Sequence, residues 1–125
     1  MTVPILWAVL LEPLAIAPRF EIVQAHHITL VYGANPEEWA HLLGSEFAVR
    51  IVAEAWNERI QALRLQLPQG IPCTNAIPHI TVSHLREVEP VESNTMLATS
   101  HQEIPLDETV KVQIALRLRG MEYGI

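Results

Sequence analysis

A chain of 125 residues, half of them hydrophobic, is long enough to bury one substantial core and too apolar to stay disordered. Its formal charge of -6 and pI near 5.4 exclude a protein that tracks long nucleic acid by charge alone, while leaving room for a local pocket that holds a small anion. The single cysteine, Cys73, rules out an internal disulfide, and six histidines against eight lysines and arginines are the unusual feature of the composition.

The chain opens on an apolar run over residues 3 to 11, closed by Glu12-Pro13. A signal sequence needs a basic start, and no Lys or Arg precedes Arg19, so the run reads as a buried central strand covered on both faces. No stretch is long enough and apolar enough to span a bilayer, and a cytoplasmic protein is expected. Arg19 to Tyr32 forms a second strand region ending at Gly33. A helix start follows, with Asn35 as N-cap, Pro36 at the first helical position and Glu38 three residues after the cap. Trp39, Leu42 and Leu43 share one face of that helix, and Gly44 stops it.

From Phe47 the hydrophobic period changes to two: Phe47, Val49, Ile51, Ala53 and Ala55, then Leu63, Leu65 and Leu67, alternate with polar or small residues. This predicts a β-hairpin turning near Asn57-Glu58, with a helix over 47 to 67 as the competing reading. Pro68 to Pro78 is a loop by its Gly70, Pro72 and Asn75, placed where a substrate-covering segment or a plain connection would sit. After a second strand near residue 80, Ser93 or Asn94 is expected to cap a short helix through Met96 and Leu97, and Ile104-Pro105-Leu106 reads as irregular. The last strand runs from about Val110 to Leu118, with Lys111, Gln113, Arg117 and Arg119 on its polar face. No linker divides residues 1–125, which read as a single α+β domain with a mainly antiparallel sheet and a hint of internal two-fold repetition.

That hint comes from a repeated tripeptide. His27-Ile28-Thr29 and His79-Ile80-Thr81 both stand among aliphatic residues suited to strands, and alternation puts each His and its Thr on one face with the Ile on the other. If the two strands lie near each other in one sheet, two imidazoles and two hydroxyls converge. Imidazole suits proton transfer near neutral pH, so one ring can deprotonate an attacking oxygen while the other protonates a departing one, with no metal required. The hydroxyls can donate to non-bridging phosphate oxygens.

The elements His27-Ile28-Thr29-Leu30 and His79-Ile80-Thr81-Val82, within "HHITLVYG" and "PHITVSHLREVEPVESN", resemble the paired signature of the two-histidine (2H) phosphoesterase superfamily, most closely its tRNA-ligase-type phosphodiesterase branch. The resemblance spans about Leu6 to Leu118. It implies a bilobal α+β fold with a mainly antiparallel sheet, one or two packed helices, a central cleft and a pseudo-two-fold. It also implies a cofactor-free hydrolase that opens a 2′,3′-cyclic phosphate on an RNA end or small nucleotide. His27 and His79 would then be catalytic and Thr29 and Thr81 phosphate-binding, with a ligase or kinase as a possible partner in RNA repair. The alternative is a non-catalytic module of the same fold that binds a nucleotide or phosphate.

Other candidates are weaker. His26 and His84 fall on the opposite pleat parity from His27 and His79, which marks them as core or edge residues. His41 and His101 read as solvated surface. A zinc site from His26, His79 and His84 lacks both a His-Glu-x-x-His helix and a cysteine pair. Tyr32 reads as a strand-end core residue, and Arg117 and Arg119 as solvated cations within reach of a phosphate.

Overall fold

The computed structural model describes residues 3–118. Seven antiparallel strands carry the fold: β1 (Pro4–Leu10), β2 (Ile22–Val23), β3 (His27–Tyr32), β4 (Glu46–Trp56), β5 (Ile60–Gln66), β6 (His79–His84) and β7 (Gln102–Leu118). Two short helices, α1 (Pro36–Trp39) and α2 (Glu92–Ala98), interrupt them. The strands lie in the order β2-β6-β3-β1-β7-β4-β5, and β5 pairs back onto β6, closing the sheet into a barrel. Closure removes the exposed edges that a flat sheet of this size would present.

The core fills the inside of the barrel. Leu6 and Ala8 of β1, Ile28 and Leu30 of β3, Val49 and Ile51 of β4, Leu63 and Leu65 of β5, Ile80 and Val82 of β6, and Val110, Val112 and Ile114 of β7 form one buried cluster. Each strand contributes alternate residues, as a half-buried pleat requires. A smaller cluster lies outside the barrel, where Val88 and the α2 residues Met96 and Leu97 cover Ala55, Ile60 and Ala62.

Several expectations hold. The hairpin of β4 and β5 turns at Asn57, whose Oδ1 accepts from the backbone N–H groups of Arg59 and Ile60, so the turn needs no glycine. Asn35 caps α1 by accepting from Glu37 N, with Pro36 at the first helical position, and Gly44 follows the helical segment at φ 85°.

Other expectations need correction. The motifs, expected at a cleft between two lobes, sit on neighbouring strands of one closed sheet. β1 is covered completely on its inner side, where Leu6 and Ala8 are fully buried, and in part on its outer side, where Ile5 is buried and Trp7 and Val9 are half-buried. Leu43 is exposed because α1 gives way to a 3₁₀ turn at Ala40–Leu42, which rotates it off the face of Trp39 and Leu42. Irregular pairing between Ile51 and Ala53 divides the apolar alternation of β4, so Ile51 joins the inner cluster and Ala55 the outer one. Ile104-Pro105-Leu106 belongs to β7; Pro105 is tolerated because it pairs with Ala53 at that same irregularity and β1 does not reach so far along β7. Ser93 and Asn94 lie inside α2, whose N-cap is Val91. Tyr32, at the end of β3, is 58% exposed.

Candidate active site

Ile28 and Ile80 are the one registered pair between β3 and β6, and both side chains are fully buried inside the barrel. Alternation therefore turns His27, Thr29, His79 and Thr81 to the outside of the same strand pair. The antiparallel register sets His27 level with Thr81 and His79 level with Thr29. His27 and His79 are diagonal neighbours, a relationship that separates residues by about 7–8 Å and their Cβ atoms by somewhat less, a span that a phosphate with a hydrogen bond on each side can fill. Across β6 on the other side, Arg64 pairs with His79 and Ala62 with Thr81.

The two histidines are held differently. His79 is 8% exposed, and its Nδ1 lies 2.8 Å from the carbonyl oxygen of Ile77. A carbonyl only accepts, so Nδ1 carries a proton and Nε2 is the nitrogen left for chemistry. Burial lowers the pKa of His79, and the Ile77 carbonyl opposes that shift. His27 is half-buried against Trp7, with ring centroids 4.3 Å apart, and its Nδ1 lies 3.2 Å from Nδ1 of His26. Burial, reinforced by His26, Arg117 and His79, pushes its pKa from the ordinary 6.5 down to about 4. Both rings are thus biased toward the neutral form, and His79 is close enough to His27 to affect its charge.

The threonines also differ. Thr81 Oγ1 is 2.8 Å from Oγ of Ser93, which is fully buried in the first turn of α2, and 3.4 Å from the carbonyl of Pro90. Thr29 is half-buried beside the loop over residues 68–78, where Cys73 Sγ donates to its carbonyl oxygen at 3.7 Å and Thr74 N donates to Leu30 O at 2.8 Å. The loop therefore runs along β3 beyond Ile28, where pairing with β6 has ended. Burial pushes the Cys73 thiol up, which leaves it a poor nucleophile.

Sequence parity misplaces His26. Its ring meets both Trp7, at 5.1 Å between centroids, and His27, at 5.3 Å, so it shares their face. Five residue steps from Val23 to Ile28 oppose three from Ser83 to Ile80, and Ala25 takes up part of the excess at φ 44°. Alternation does not survive such an irregularity. Ser93 was missed because a serine before an apolar pair reads as a helix cap.

Arg117, on β7, pairs with Ile5 of β1 and holds its guanidinium carbon 5.3 Å from the Trp7 ring centroid, on the side of the sheet that carries His27. Arg119 lies outside the described residues. Arg64 reaches Glu103 at 2.7 Å, and Glu103 lies 3.8 Å from His101, whose Nδ1 donates to Thr99 O. His101 is therefore largely enclosed rather than solvated. His84 is buried, with Nδ1 bonded to Leu85 O and Nε2 to the Gln24 side chain, so both ring nitrogens are engaged away from His26 and His79. Among the described residues, no group of three or more His, Cys, Asp or Glu is arranged to hold a metal ion. His41 is exposed and stacks on Trp39.

No curated protein matches the chain. Residues 23–118, which include both His-Ile-Thr elements, α2 and the strands on either side of the site, match the fungal tRNA ligase phosphodiesterase domain, and the chain belongs to that family.

Proposed function

We propose that this domain hydrolyses a 2′,3′-cyclic phosphate, on an RNA end or a small cyclic nucleotide, with His27 and His79 as the proton-transfer pair. The observation that carries the reading is the Ile28–Ile80 register, which brings both motifs to one face. The phosphate lies between the two rings. One imidazole takes a proton from water as its oxygen bonds to phosphorus, and the other, as imidazolium, protonates the ribose oxygen as its bond to phosphorus breaks. The product is a phosphomonoester with a free neighbouring hydroxyl. Thr29 and Thr81 donate to the non-bridging oxygens, whose charge grows in the transition state. Two imidazoles suffice for both proton transfers, so the reaction proceeds without a metal or other cofactor. Membership of a tRNA ligase domain family supports an RNA end as substrate, and a ligase or kinase acting on the opened end in the cytoplasm as partner.

The test is hydrolysis of an oligoribonucleotide ending in a 2′,3′-cyclic phosphate, and of a cyclic mononucleotide, in excess EDTA. Turnover is expected in EDTA, with His27→Ala and His79→Ala each lowering kcat by about 10²–10⁴-fold. Retained activity in both variants would remove the two-histidine mechanism, and EDTA-sensitive turnover would remove metal independence. Engagement of the Thr81 hydroxyl by Ser93 favours, as a second reading, a module that binds the phosphate without turning it over. Saturable binding with no product would identify it.

A further inference from the structure

We propose that His26 is a positioning residue: its Nδ1 accepts the Nδ1 proton of His27, so that His27 offers Nε2 to the face it shares with His79. The proposal rests on the phosphodiesterase reading for its consequence and on local geometry for its content. His79 supplies the comparison. Its Nδ1 is anchored by the carbonyl of Ile77, two residues earlier, and the anchor commits Nε2 to the site. His27 has the same need, and the group opposite its Nδ1, at 3.2 Å, is the imidazole of the residue just before it.

Between two neutral imidazoles, one nitrogen donates and the other accepts. His26 is exposed and can place its own proton on Nε2 in water, whereas His27 is half-buried against Trp7 and has a partner for its proton at Nδ1. Trp7 touches both rings, which restricts their rotation. The backbone is shaped to allow the contact. Ala25 sits at φ 44°, in the left-handed region that a residue with a Cβ rarely adopts, and the irregularity there brings His26 onto the outer face. In the regular register the sequence suggests, the two rings would lie on opposite faces.

Long-range nitrogen–proton correlation on the full ¹⁵N-labelled chain, above neutral pH, reads the tautomer of each histidine directly. His27 and His79 are both expected as the Nδ1–H form. His26→Ala should move His27 toward the Nε2–H form and leave His79 unchanged. His26→Asn, whose amide oxygen can accept in place of Nδ1, should restore it. Against a cyclic phosphate, His26→Ala should lower kcat about tenfold or more with KM within about twofold, as expected when a reactive histidine loses its tautomer partner, and His26→Asn should recover most of the loss. Finding His27 as Nε2–H in the unaltered chain, or a tautomer unchanged in a folded His26→Ala variant, would overturn the proposal. If the unaltered chain hydrolyses no cyclic phosphate while the tautomers shift as described, the phosphodiesterase reading fails and the pairing of His26 with His27 stands.

Discussion

Ile28 and Ile80 pair across β3 and β6 with both side chains inside the barrel, and this one register contact turns His27 and His79 to the same outer face. Neither isoleucine takes part in the proposed chemistry. Each is a fully buried β-branched residue whose inward orientation obliges its neighbours to point outward. A slip of one residue on either strand would put one His-Thr pair inside and leave the other outside. The core therefore fixes the face on which both motifs lie.

Removing either isoleucine should be costly. Ile80→Ala is expected to destabilise the fold by about 2–5 kcal/mol and Ile80→Val by about 0.5–1.5 kcal/mol, read from urea unfolding. Because Ile28 and Ile80 face each other, the double alanine variant should lose less than the sum of the single losses, through the shared cavity. Strict additivity would mean that the two side chains do not depend on each other, and the register argument would lose its energetic basis.

Ser93 should matter through Thr81. A hydroxyl has one proton, and the Pro90 carbonyl can only accept. For Thr81 to donate to a phosphate, it must release the Pro90 carbonyl, and the proton in its contact with Ser93 must come from Ser93, which also fixes the direction of the Thr81 oxygen. Ser93→Ala removes that donor from a fully buried position, at a stability cost of about 1 kcal/mol. KM for a cyclic phosphate should rise several-fold, with a smaller fall in kcat. Unchanged kinetics in a folded Ser93→Ala variant would place Thr81 outside the phosphate site.

The limits of the sequence follow from this geometry. That His27, Thr29, His79 and Thr81 point away from the core was legible because β3 and β6 alternate regularly through their motifs, and period two needs no knowledge of the partner strand. His26 was not. The irregularity at Ala25 exists only because β2 and β3 must both follow one edge of β6, and nothing in Gln24-Ala25-His26 announces it. Pro105 misled in the same way: a proline inside a strand reads as a break until the irregular partner that accommodates it is known. Barrel closure through β5 and β6 is likewise a long-range pairing. The hairpin and the Asn35 cap were readable because each is settled within a few residues.

The pH dependence of activity follows from the two lowered histidines. The proposed mechanism needs one imidazole neutral and the other protonated before substrate binds, so kcat/KM should be bell-shaped. The pKa of His27 lies at about 4 and that of His79 below its ordinary value, which puts the maximum on the acid side of neutrality. Activity should already be declining by pH 6.5. A profile still rising between pH 7 and 8 would contradict the environments described for both rings.

Stability should respond to the same burial, with a definite sign. His27 titrates at about 4 in the folded chain and near 6.5 when unfolded, so between those values the unfolded chain binds more protons. Its contribution is complete above pH 6.5 and is lost as pH falls through 4. A shift of this size corresponds to at most roughly 3 kcal/mol, reduced by solvent screening because the ring is only half-buried, and His79 acts in the same direction. Carboxylates also titrate in the lower part of this range, so the informative quantity is the difference between the unaltered chain and His27→Gln, which cannot be protonated there. Urea unfolding at intervals from pH 4 to pH 7.5 should give a shallower dependence for the variant. Parallel curves would show that His27 is as free to take a proton folded as unfolded, and its burial against Trp7 could then not be what keeps it neutral.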